Sequence, residues 1–80
     1  MNIPDHVNAH WIATLGDDQL VAADVQLHGD FQALEAAEKF RMGEQYVLLR
    51  SPPPLVNAWI RWSLVDNEAR ERGLVVRHPR

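Results

Sequence analysis

Eighty residues bound the chain to one folding unit, since single domains usually span ~50–250 residues. The absence of cysteine excludes a disulfide scaffold, a thiolate zinc finger and a catalytic thiol. A net charge of −3 argues against a domain that coats itself in nucleic acid, and 46% hydrophobic residues are too many for a disordered chain.

The opening Met1-Asn-Ile-Pro-Asp-His has no basic segment leading into an apolar run, so it is not read as a secretory signal. No stretch approaches the ~18–20 apolar residues of a membrane span. The expectation is a cytoplasmic protein with no membrane contact. From His6 to Leu15 a short helix is predicted, with Val7, Trp11 and Leu15 one turn apart on one face. Gly16 is its expected left-handed terminator. Asp17 and Asp18 then suit the cap and first turn of a second helix, where carboxylates meet free N–H groups and the positive end of the macrodipole.

From 17 to 42 the apolar spacing is helical. Leu20, Ala23, Leu27, Phe31, Leu34 and Ala37 step by three or four into one stripe. Gly29 interrupts the helix formers at a cost of ~1 kcal/mol. Because the stripe keeps its phase across it, one helix that tolerates or bends at Gly29 is favoured. Tyr46-Val-Leu-Leu-Arg50 reads as a strand or an extended connector. Ser51 before Pro52-Pro-Pro54 signals a helix start, with Ser as cap and Pro in the first turn.

The third helix, 53–72, carries Leu55, Trp59, Trp62 and Ala69 on one stripe and Val56, Ile60 and Leu64 on another. Asp66–Arg70 and Glu68–Arg72 are i,i+4 pairs with the acid N-terminal. Gly73 is the expected C′ residue, with Leu74 folding back as its hydrophobic partner. Residues 73–80 form an extended tail. The predicted fold is therefore a single all-α or mainly α domain, 1–80, of two long antiparallel helices and a short N-terminal one. A minor two-stranded pairing of Tyr46–Leu49 with Leu74–Arg77 is allowed. The alternative is a small α+β fold using Trp11–Leu15 and Leu20–Leu27 as strands.

Charge is unevenly placed. Residues 1–38 carry seven acids and no Lys or Arg, whereas 39–80 carry eight basic residues against four acids, so the halves are −7 and +4. This asymmetry steers register more than it stabilises, because exposed pairs contribute only ~0–1 kcal/mol each.

Chemistry-bearing patterns are sparse. His6 and His10 stand at i,i+4, the helical spacing of a metal-ligand pair with Asp5 adjacent, yet no further ligand motif accompanies them. Two solvated histidines are the plainer reading, so no metal and no cofactor is assigned. His28 reads as a packed, hydrogen-bonded core histidine, and His78 as a solvated tail residue. Glu35 and Glu38 form a salt-bridged face with Lys39 and Arg41, lacking the Glu-x-x-His pairs of di-iron bundles. Neither a nucleophile elbow nor a phosphate-cradling glycine loop is present. The expectation is no enzyme.

Two apolar faces on the helix from Leu55 leave more surface than one small chain readily covers. The reading that follows is a non-enzymatic protein-interaction or regulatory module that pairs with itself as a homodimer, with a protein partner, or both. Its interface candidates are Trp59, Trp62, Arg61, Ile60 and Trp11, since Trp and Arg dominate binding hot spots. The alternative is a nucleic-acid-binding helical regulator using Arg61, Arg70, Arg72, Arg77 and Arg80. Against it stand the seven acids of the first half and the triproline in place of a short helix–helix turn.

Overall fold

Three helices form where the sequence places them. The computed structural model describes residues 2–78. They comprise α1 (Ala9–Ala13), α2 (Asp17–Met42) and α3 (Pro53–Glu71), with single 3₁₀ turns at Gly43–Gln45 and Leu48–Arg50 and no strand among the described residues.

Local chemistry sets the boundaries. The α1 helix starts later than expected, at Ala9, because the Asn8 side chain accepts the Trp11 amide at 2.9 Å and acts as cap. It ends at Ala13, where the Thr14 hydroxyl donates to the Trp11 carbonyl at 2.6 Å. The chain has thus left the helix before Gly16, which is not left-handed as expected. With φ −71° and ψ 167°, Gly16 instead caps α2, and its N–H donates to the Gln19 side chain at 3.0 Å. Asp17 and Asp18 follow in the first turn of α2.

Gly29 neither breaks nor ends α2, which runs unbroken to Met42. Gly43, at φ +59°, then turns the chain in a conformation that costs glycine little. Ser51 is not the cap of α3. Its hydroxyl donates back to the Val47 carbonyl at 2.9 Å, and Pro52 takes the cap position ahead of Pro53 and Pro54. At the other end the expectation holds in detail. Gly73, at φ +74°, donates to Arg70 O and Leu74 to Ala69 O, both at 2.9 Å, the two bonds of a Schellman closure.

The helices pack antiparallel over two small clusters. The upper joins Leu20, Ala23 and Leu27 of α2 to Val65 and Ala69 of α3, closed by Val7 and Ile12. The lower joins Phe31 to Leu55 and Ala58, with Tyr46 and Leu48 tucked against it. Leu74 and Val76 pack on the upper cluster, at the opposite end from Tyr46 and Leu48. That separation is why the two apolar segments do not pair as strands. The tail is described as far as His78. Its half-buried Leu74, Val76 and His78 alternate with exposed Val75 and Arg77, while Arg80 lies outside the described residues.

One expectation about the core fails. Leu34 and Ala37 are exposed, although the sequence stripe runs through them. Leu34 instead sits at the rim of the helix pair, 41% exposed above a shallow groove that it lines with Pro54, Ala58 and Arg61 of α3. The half-buried positions beyond Phe31 include Glu35 and Glu38. Tyr46 covers Glu35, donating its hydroxyl to the carboxylate at 2.9 Å.

Candidate functional site

The predicted interface residues are mostly occupied within the chain. Trp59 is half-buried on the lower cluster and Trp11 on the upper. Trp62 sits between the two clusters, its ring stacked on Phe31 at 5.7 Å. Arg61 donates to the Pro4 carbonyl at 3.1 Å and so ties the N-terminal segment to α3. Ile60 alone of the five is exposed. Arg70 pairs with Asp66 at 2.9 Å and Arg72 with Glu68 at 2.8 Å, as their spacing predicts. Arg72 also donates to the Leu15 and Ile12 carbonyls and reaches Asp17 at 3.3 Å, clasping the α1–α2 corner. His6 lies ahead of α1, so the helical register that would align it with His10 does not form. Both imidazoles are exposed.

The structure assembles a different polar group, which pattern reading passed over. Asp24 occupies an inward position of α2, one turn after Leu20 and one turn before His28, and has no exposed surface. Asp66 faces it from α3, one turn after Trp62. It is only 7% exposed, although it also pairs with Arg70. The Trp62 indole N–H donates to Asp24 Oδ1 at 2.9 Å. His78, expected in solvent, returns along the tail to place Nε2 at 2.6 Å from the same oxygen. A carboxylate only accepts, so against an ionised Asp24 this nitrogen carries the proton.

His28 completes the group. Its ring stacks on His78 with centroids 3.9 Å apart and leans on Trp62 at 4.7 Å. It is packed as expected, but its Nδ1 is buried without a hydrogen-bond partner. Asp24 Oδ2 is likewise buried and unpartnered. One ligand atom each from Asp24, Asp66 and His78 lies within 4.8 Å of the others.

Electrostatics follow from this crowding. Burial pushes the Asp66 carboxyl above the usual carboxylate range; hydrogen bonding and repulsion from Asp24 add to it, against the opposing pull of Arg70 and His78. Burial lowers His28, and the adjacent His78 adds to that, while Asp24 and Glu35 oppose it. Asp24 has no exposed surface, so its carboxylate is shielded from any external molecule in this state, whereas His28 and His78 are half-buried at the edge of the cluster. No helix among the described residues is long and apolar enough to cross a membrane. Comparison with protein-family models, curated proteins and solved structures gives no match to this chain.

Proposed function

We propose that the chain is a small non-enzymatic interaction module that pairs with a second copy of itself through the outward face of α2. The observation that carries this reading is Phe40, a phenylalanine 93% exposed on a regular helix. Burying such a ring is worth ~1.5–3 kcal/mol, so a partner that covers it gains a large share of a contact energy. The residues in line with it are Ala22, Gln26, Gly29, Ala33 and Ala36, all exposed and spaced by three or four.

Gly29 fits the same reading. Its Cβ position meets nothing within 4 Å and its backbone is helical, so nothing inside the chain requires glycine there. A second helix approaching closely would. The charge order along α2 favours a copy of itself, antiparallel: Asp17 and Asp18 open the helix, and Lys39 and Arg41 close it. Each acidic first turn then lies near the partner's basic last turn, with opposed macrodipoles. A two-fold axis at the level of Phe31 sets Phe40 over Ala22 and Ala33 over Gly29.

Sedimentation equilibrium across a concentration series tests the reading. The expected result is a monomer–dimer equilibrium that Phe40→Glu abolishes and Ile60→Glu leaves intact. A monomer at every concentration overturns self-association, and loss of the dimer with Ile60→Glu alone moves the interface to α3.

A further inference from the structure

We propose that Asp24, Asp66 and His78, with His28 beside them, form a binding site for one divalent transition-metal ion of the zinc class. Two carboxylates brought together away from water need a compensating positive charge, because their repulsion grows as the dielectric falls. Among the described residues that charge comes from the rim. Arg70 holds the outer oxygen of Asp66, and His78 bonds Asp24 Oδ1. Asp24 Oδ2 is buried with no N–H donor against it, on a residue without exposed surface, so only a proton shared with the Asp66 carboxyl or a cation satisfies it. An orphaned buried carboxylate oxygen is rare in folded proteins and is what an absent proton or cation leaves behind.

The donor set selects among cations. Calcium and magnesium take six or more oxygens, with water among them. Two carboxylates and one or two imidazoles in a dry setting suit tetrahedral Zn²⁺, or Co²⁺ in its place. With metal–ligand bonds of ~2.0–2.2 Å, tetrahedral ligand atoms stand about 3.3–3.6 Å apart. The three donor atoms here already lie within 4.8 Å. Asp24 and Asp66 are fixed on packed helices, whereas His78 lies on the non-helical segment after Gly73 and can take up the adjustment.

The surroundings match a ligand shell. The Trp62 indole N–H holds Asp24 Oδ1, leaving Oδ2 to ligate, as outer-shell donors orient metal-bound carboxylates. His28 stacks on His78 and carries a second unpartnered buried atom within the cluster, Nδ1, which makes it the candidate fourth ligand. All four groups belong to one chain, so the site stands whether or not the protein dimerises.

The test uses the full chain stripped with chelator and titrated with Zn²⁺ alone, by calorimetry and thermal melting. One ion per chain is expected, with Tm raised by on the order of 10 °C at saturating metal. Co²⁺ should give the intense visible absorption of a tetrahedral site. His78→Ala, which leaves the helix pair intact, and the isosteric Asp66→Asn should each weaken binding at least tenfold. The double variant His6→Ala/His10→Ala should bind like the parent. No saturable heat and an unchanged Tm would overturn the site. Binding that survives His78→Ala but disappears with His6 and His10 would also overturn it, as surface capture.

Discussion

Leu27→Ala and Leu34→Ala together test where the α2 stripe meets the core. Both leucines lie on the same periodic stripe in sequence, but Leu27 is 1% exposed and Leu34 41%. Truncating Leu27 removes a fully buried side chain from the upper cluster and leaves a cavity. Such changes cost ~3–5 kcal/mol, the transfer of the lost methyl groups plus the void. Truncating Leu34 removes a side chain already in part-contact with water and opens no void, so the cost is about 1 kcal/mol. An 80-residue domain holds only ~4–12 kcal/mol in total. At ~4–8 °C per kcal/mol, Leu27→Ala should lower Tm by at least ~12 °C and Leu34→Ala by a few degrees. Urea unfolding followed by circular dichroism gives both values with m as the two-state check. Equal costs would refute the placement of Leu34 at the rim of the helix pair, outside its core.

Trp62→Phe should keep the stack on Phe31 but strip the donor from a buried carboxylate, costing ~2–3 kcal/mol in urea midpoint, against under ~1 kcal/mol for Trp59→Phe. At concentrations where the chain is monomeric, Gly29→Ala should add ~0.5–1 kcal/mol, since the new methyl meets nothing within 4 Å; at high concentration the same change should weaken the dimer in sedimentation. Arg72→Ala should lower Tm further than Arg70→Ala, because it releases the Leu15 and Ile12 carbonyls as well as Glu68. Tyr46 titrates above its ordinary value of 10.0, chiefly through burial and then its bond to Glu35. The folded state therefore holds the phenol proton longer than the unfolded one, and stability present below pH 10 is lost as pH rises through the folded value. Tyr46→Phe should remove that alkaline loss in melts taken above pH 10.

What the sequence made legible is what depends on neighbours along the chain. The span of α2, the prolines in the first turn of α3, the Gly73 closure and the i,i+4 pairs are set by residues within one turn of each other. So is the failure at Gly16, where two local signals compete. A glycine after a short helix can end it left-handed or cap the next one, and Gln19 reaching back to the Gly16 amide decides for the cap. The exposure of Leu34 was not legible, because it depends on where α3 lies against the α2 stripe, which the periodicity of neither helix fixes.

The buried polar cluster was hidden for a related reason. Asp24 and Asp66 each stand at an inward helical position, i+4 from Leu20 and from Trp62, and that placement was the available signal. It was masked at Asp66 by Arg70, whose spacing gives a sufficient surface explanation for the acid. It was masked at Asp24 by the apolar residues on either side, which carry the stripe without it. His78 is 54 residues from Asp24, and no periodicity links them. The local rule that a carboxylate next to an arginine is solvated and the global rule that an inward position is apolar conflict at these two residues. Local propensity and global fold disagree most often where a protein binds something, and the unpartnered Asp24 oxygen marks where that disagreement has not been resolved by the atoms of the described residues.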